Sequence, residues 1–323
     1  MDLKMPIKKH KKWITLIACF AATVALTVTV LALTLPGGEQ MLGVPTASSG
    51  GNLFDGDVPQ MTDPADVILP SDQLQVPTAS GVTAQPSFAL APEPPTLERN
   101  TLKRNDFKKV NGYITCKTEE YWLGIDVSVW QEEIDWERVA AAGVKFAMIR
   151  IGYRGWSKQA ELQVDHRAEE NLKGAMDAGI KVGVYLYSQA INVQEAVEEA
   201  KFLLELLDGR PLDMPVVFDW ETPTNSSARS WRVKPKTVHA CALAFCAEIK
   251  AAGYQPMVYF NQSQGKYFYD LEELRAAGIE LWLAMYTKAM TYEYKVQMWQ
   301  YTGEGRVPGI RTKVDIDLYF PYH

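Results

Sequence analysis

The sequence predicts an α/β fold, a TIM-like (β/α) barrel carried behind a transmembrane helix and a disordered stalk. Three observations predict the barrel. From Leu123 onward, short apolar runs rich in Val, Ile, Tyr and Phe alternate with longer amphipathic ones. The dipeptide Ala-Gly recurs at Ala142-Gly143, Ala178-Gly179, Ala252-Gly253 and Ala277-Gly278, each time between a helix-like and a strand-like run. A glycine just past a helix end takes the left-handed conformation that turns the chain back toward a sheet, so one βα unit is used several times. Finally, the strand-like runs are nearly continuous in apolar character, as expected of parallel strands covered on both faces. An open doubly wound sheet is the alternative, but no glycine-rich phosphate loop follows the first strand.

The chain begins with a basic tail, residues 1–12, ending in Lys8–Lys12, "KKHKK". Trp13 to Leu35 carries no charge and would span about 34 Å as a helix, enough to cross a bilayer. No Lys or Arg occurs between Pro36 and Glu98. The positive side is therefore the N-terminal side, which predicts a cytoplasmic tail, a single-pass membrane anchor and an extracellular remainder. A cleaved signal peptide is one rival, but the apolar run is long and no small-x-small site ends it. A lipoprotein box at Leu16–Cys19 is the other, but apolar sequence continues well past Cys19.

Residues 36–98 are rich in Pro, Ser, Thr, Ala and Gly, with acidic charges only, and read as a linker that cannot bury enough apolar surface to order itself. "VPTAS" occurs there twice, at Val44–Ser48 and Val76–Ser80, a drift of composition rather than a motif. Residues 99–121 are polar and mixed, a lead-in that packs on the folded domain expected at 122–323.

In that domain the predicted strands are Leu123–Ser128, Phe146–Ile151, Lys181–Ser188, Pro215–Asp219, Pro256–Asn261, Glu280–Tyr286, Val296–Tyr301 and a short one near Val314–Leu318. Helices lie between most of them. In Val193–Leu207, Asn192 and Glu195 form a capping-box pattern, and Ala196, Ala200, Leu203 and Leu207 form an apolar stripe.

The net charge of −6 argues against nucleic acid, since no basic excess is present to neutralise phosphates. His10, His166, His239 and His323 are scattered and no CxxC pair exists, so neither a metal nor any other cofactor is expected. Cys241 and Cys246 lie five apart on a predicted helix, a poor geometry for a bridge between them. Buried free thiols are the reading for Cys116, Cys241 and Cys246, with a bridge from Cys116 to one of the others as the alternative.

In a βα barrel the active site forms where strands end. Read in order, the strand ends offer Asp126; Arg150 and Tyr153; Tyr187 and Gln189; Asp219 and Glu221; Asn261; Tyr286; Gln300; and Asp315 with Asp317. Asp219 and Glu221 are two apart on one strand, so both project to one face, roughly 6–7 Å apart, while Trp220 points the other way. Two such carboxylates resist ionising together, which raises one pKa. A protonated acid beside an ionised one is the equipment for glycosidic bond cleavage. Sugar faces stack on aromatic rings, and Trp130, Trp220, Trp282, Trp299, Tyr187 and Tyr286 lie near strand ends, although rings there commonly serve as core. Tyr187, Tyr286, Trp282, Gln300 and Asn261 are the candidate substrate contacts. His166, in a polar helical stretch, reads as a surface residue, and Asp165 alone carries no assignment.

The segments "GIDVSVWQEEIDWERVAAAGVKFAMIRIGYRG", "GIKVGVYLYSQA", "PVVFDWE", "LWLAMY", "MWQYT" and "VDIDLYF" occur in this order over Gly124–Phe320. Together they resemble the glycoside hydrolase family 25 muramidases, the lysozyme family, whose βα barrel is irregular. The resemblance implies hydrolysis of the β-1,4 bond between N-acetylmuramic acid and N-acetylglucosamine in peptidoglycan glycan strands. It implies that Glu221 is the general acid and that Asp126, Asp219 and Asp315 are the other active-site acids. Asp317 departs from the family, which often has Asn there, and adds negative charge near the site. The resemblance leaves two mechanisms open: water assisted by Asp219 or Asp126, or attack by the substrate's 2-acetamido group steadied by Asp219.

Two other functions compete. A family 18 chitinase also ends a strand in "DWE", but its D-x-x-D-x-D-x-E pattern would require acids at Met214 and Val217. A non-catalytic, membrane-tethered wall-binding protein would not require the full set of acids. No protein partner is indicated.

Overall fold

A computed structural model describes residues 96–321. The expected cytoplasmic tail, membrane helix, Cys19 and nearly all of the linker lie outside the described residues, and no helix among the described residues is long and apolar enough to cross a membrane.

The lead-in forms a hairpin of β1 (Phe107–Val110) and β2 (Tyr113–Cys116). Its turn is Asn111-Gly112, both with positive φ (51° and 92°), which matches the right-handed twist of the two strands. The next strands are β3 (Trp122–Val127), β4 (Phe146–Arg154), β5 (Leu162–Val164), β6 (Lys181–Ser188), β7 (Val216–Trp220), β8 (Pro256–Asn261), β9 (Glu280–Ala284), β10 (Met298–Gly305) and β11 (Val314–Tyr319). Between them run α1 (Trp136–Ala141), α2 (Ala168–Asp177), α3 (Val193–Leu207), α4 (Pro235–Ala251), α5 (Gln262–Tyr267) and α6 (Leu271–Ala276).

The sheet order is β3-β11-β10-β9-β8-β7-β6-β4, and β3 also pairs with β4, so eight strands close into a barrel; β5 hangs from β4. The four Ala-Gly pairs sit where expected. Each Ala is a helix C-cap, and each Gly follows with φ between 73° and 94°. The cap of α3 realises half of the expected box: Asn192 accepts from the Glu195 amide, but the Glu195 carboxylate accepts from Ile191 N–H and pairs with Arg229.

The barrel differs from an all-parallel one at its last strand. β11 runs antiparallel to both β10 and β3. The connection 306–313 is too short for the crossover of about a dozen or more residues that a parallel return requires. No helix follows β9 or β10 either, which leaves the outer face there without its usual cover. The lead-in hairpin supplies that cover. Phe107 packs edge-on against Trp299 at 5.4 Å, and Tyr301 Oη accepts a hydrogen bond from the Ile114 amide.

Strand alternation divides the core in two. One layer fills the barrel: Phe146, Met148, Tyr185, Val217, Met257, Tyr259, Trp282 and Met298. The other, larger layer lies between the strands and the outer helices. Gly124 keeps the inner layer closed, because a Cβ there would stand 2.2 Å from the Phe146 ring. Cys116, Cys241 and Cys246 are buried and free, so no bridge joins Cys116 to either of the others.

Candidate active site

The inner-face positions beyond this plug open into a cleft of about 770 Å³ at the C-terminal ends of the parallel strands. Its lining includes Asp126 from β3, Asp219 and Glu221 from the end of β7, and Asp315 from β11. Asp315 is the direct cross-strand partner of Asp126. Asp219 lies between Tyr187 on β6 and Tyr259 on β8. It shares the parity of Val217, which points into the barrel, while Trp220 is buried outside with its indole N–H on the Ala190 carbonyl at 3.1 Å.

Polar residues hold the acids in place. Gln300 donates from Nε2 to Asp126 Oδ2 at 2.8 Å. Its Oε1 accepts from the hydroxyls of Tyr259 (2.9 Å) and Tyr286 (3.0 Å), so the amide can face in only one direction. Asp165 is buried and aims Arg150, accepting from its Nε at 2.8 Å and from the Val129 amide at 3.0 Å. Asp219 Oδ1 is buried with no donor among the described residues, and so is Asp317 Oδ2.

The electrostatics follow from this crowding. Burial pushes the Asp219 carboxyl well above the usual range; Glu221 pushes it further, and Arg150 offsets part of this. Asp126 is raised well above the usual range by burial, Asp315 and Asp317, with Gln300 pulling back. Glu221 is raised by burial and then by Asp315, and Asp315 by burial and Glu304 to about 6. Such a group cannot be fully ionised at neutral pH. It holds carboxylic acids able to donate a proton next to carboxylates able to accept one.

Asp317 is fully buried beneath the cleft rather than on its rim. Its Oδ1 accepts from the Trp282 indole N–H at 2.9 Å, and its Oδ2 has no partner among the described residues. Burial, and Asp315 after it, raise the Asp317 carboxyl well above the usual range, and the bond from Trp282 offsets part of this.

Of the five candidate substrate contacts, Tyr187, Tyr286, Trp282 and Gln300 line the cleft, and Asn261 does not. Asn261 caps α5: its Oδ1 accepts from the Gln264 amide, and Gln264 returns the bond to Asn261 N–H. Trp282 offers no open ring face, since it is 2% exposed and wedged against Tyr185 and Tyr259. Trp299 is core, with its N–H on the Met285 carbonyl. Trp130, 73% exposed, and Tyr286, 62% exposed, are rings of the lining free to stack, and exposed His166 also reaches it. Sequence reasoning passed over Tyr185 and Tyr259. Each lies two residues before a strand end that was read, hence on the same face.

The profile of glycosyl hydrolases family 25 matches residues 125–310. Uncharacterized protein YegX of Escherichia coli is 28% identical over 215 residues, 61% of this chain and 68% of that protein. Lysozyme M1 of Streptomyces globisporus is 27% identical over 205 residues, 59% of this chain and 65% of that protein. Among solved structures, the modular autolysin LytC from Streptococcus pneumoniae superposes with a TM-score of 0.56 at 26% identity over 66% of this chain. The match covers 52% of the autolysin, so the chain spans about half of that protein's length. A family 25 glycosyl hydrolase from Bacillus anthracis shares the fold, with a TM-score of 0.54 at 20% identity, over 67% of this chain and 96% of that one. The family profile covers more than half of the sequence, and the chain belongs to glycosyl hydrolase family 25, as a glycosidase of the lysozyme family.

Proposed function

We propose that the chain is a membrane-anchored muramidase that cleaves the β-1,4 bond between N-acetylmuramic acid and N-acetylglucosamine, with Glu221 as the general acid. The observation that carries this reading is the placement of Asp219 and Glu221 at one strand end, in a cleft they share with Asp126 and Asp315. Glu221 is the less buried of the β7 pair, and its raised pKa suits a proton donor at the leaving oxygen. Asp219 is raised further than Glu221 by its deeper burial, but it faces the Arg150 guanidinium. A developing cation beside it favours its charged form, so it is the charge that steadies that cation or the substrate's acetamido group. Asp126, set by Gln300, and Asp315 shape the field around the scissile bond. A solved complex of the pneumococcal autolysin with a synthetic peptidoglycan ligand, 27% identical to this chain, supports the substrate class.

The bond cleaved is tested by digesting purified peptidoglycan, reducing the products with borohydride and weighing them. Muramitol at the new ends is the expected result. Reduced N-acetylglucosamine ends would identify a different hexosaminidase, and binding without products would identify a wall-binding protein. The topology is tested separately, by adding protease to intact protoplasts. Release of a fragment containing Gly124–Phe320 is expected; protection until the membrane is permeabilised would refute the extracellular placement.

A further inference from the structure

The lead-in hairpin covers the barrel and also forms one wall of a second groove. This groove, of about 780 Å³, lies between the hairpin and the β9–β10 side of the barrel. Its lining carries five cations, Arg104, Lys108, Lys109, Lys288 and Arg306, against a single acid, Glu304. That acid is already paired with Lys313. Arg104, Lys108, Lys109 and Lys288 are exposed and form no ion pair among the described residues. A concentration of positive charge on a chain of net charge −6 marks a place where an anion is favoured.

The groove adjoins the catalytic cleft. Tyr286, 62% exposed, lines both, so a polymer lying in the cleft passes this ring to reach the cations. The two surfaces have opposite character. The cleft is crowded with carboxyls and disfavours any anionic group of the substrate. Such groups are driven outward, and the hairpin groove receives them.

We propose that the groove between the hairpin and β10 is a binding site for the anionic peptide stems of the substrate, holding their free carboxylates on Lys108, Lys109 and Lys288 while the glycan lies in the cleft. The proposal rests on the peptidoglycan reading above and adds a specificity to it: strands that carry peptide stems bind more tightly than bare glycan. The hairpin, with Lys108 and Lys109, lies outside the segment that matches the family profile, whereas Lys288 lies inside it.

The test uses the full chain carrying Glu221→Gln, so that strands survive the measurement. Affinity is measured for soluble, uncrosslinked glycan strands free of other wall polymers, for the same strands after an amidase has removed the stems, and for strands that retain anionic wall polymers. Stem-bearing strands are expected to bind more tightly than bare ones. Lys108→Glu with Lys109→Glu should weaken their binding about five- to tenfold, the scale of a few exposed ion pairs, and leave bare-strand binding unchanged. Lys288→Glu, on the opposite wall, should act in the same direction. Equal binding of stem-bearing and bare strands overturns the proposal, as does an equal loss on both in the variants. A loss confined to strands with wall polymers also overturns it and assigns the groove to phosphate. Failure of the peptidoglycan reading is distinct, since then neither stem-bearing nor bare strands are bound.

Discussion

The protein buries carboxyl groups in two places and treats them in opposite ways. Under α3, Glu199 is fully buried, but Arg154 donates to it from Nε at 2.7 Å and Ser188 from Oγ at 2.6 Å. Arg154 is satisfied in turn by Glu198 and by the carbonyls of Ala160 and Glu195. Burial raises Glu199, and those partners limit the rise to about 7. In the cleft, Asp126, Asp219 and Asp317 are as deeply buried, yet their nearest charged neighbours are mostly other acids, and all three are raised well above the usual range. A buried carboxylate whose partners are in place is tolerated, and removing one partner is what costs stability, whereas a group of like charges facing a single guanidinium weakens the fold. The second arrangement persists because it does chemistry.

The contrast predicts that removing an acid costs activity in the cleft and stability under α3. The largest effect is expected at Glu221. Glu221→Gln keeps the volume and loses the transferable proton, so the rate of muropeptide release should fall about 10²–10⁴-fold while glycan affinity is largely kept. The melting temperature should not fall, because the change relieves repulsion with Asp315. A fully active variant would remove Glu221 from the role of acid.

Arg154→Met is the matching change under α3. It strands Glu199 without its cation, and breaking a buried pair costs about 3–5 kcal/mol. We expect that loss in denaturant unfolding, with activity per folded molecule unchanged. Arg154→Met combined with Glu199→Leu should recover most of it, since two apolar groups need no partner. If the single variant is as stable as the parent, the pair is not what offsets the burial of Glu199.

These assignments differ in how far the sequence reveals them. Asp126, Asp219 and Asp315 are legible because an apolar strand runs straight into an acid, and period-2 alternation puts Asp219 and Glu221 on one side. Strand direction is not legible from composition, and β11 reads like any other strand; only the short segment 306–313 betrays its reversal. Asn261 has the parity of a cleft residue, but the Asn261–Gln264 spacing is a capping box, and the helix start claims the side chain. Asn111-Gly112 between two alternating runs is a strong hairpin signal that the polar look of the lead-in obscures. The fate of Asp317 depends on Trp282, 35 residues away, and no local pattern reports that contact.

Asp317 connects the two kinds of site, being a buried acid that the geometry keeps neutral. Asp317→Asn keeps the volume and an acceptor for the Trp282 indole, so activity within about threefold of the parent is expected. Asp317→Leu leaves the indole N–H unpaired and should cost about 1–3 kcal/mol of stability. It also removes an acid whose proximity raises Asp126, which should shift the pH–rate profile. If Asn is as damaging as Leu, Asp317 works as a carboxylate and the protonated assignment fails.

The smallest effect is the pH dependence of stability, and its sign follows from the same electrostatics. Glu199 and Glu280 stand near 7 and Asp315 near 6 in the folded protein, all above their ordinary values because of burial. Between about pH 4.5 and 7 the folded state therefore binds more protons than the unfolded one. Stability from these groups is fully present below their ordinary pKa values and is lost as pH rises through 6 and 7, the reverse of a protein held by ionised salt bridges. With one pKa unit worth about 1.4 kcal/mol before allowance for partial exposure, a decline of about 1–3 kcal/mol from pH 5 to pH 8 is expected. For a domain of this size that amounts to a melting temperature lower by several degrees. Glu199→Gln, which cannot ionise, should flatten the decline measurably, whereas Glu98→Gln, an exposed acid paired with Lys295, should leave it unchanged. A melting temperature that rises from pH 5 to pH 8 would mean that these acids are ionised in the fold, and that burial is offset in both regions alike.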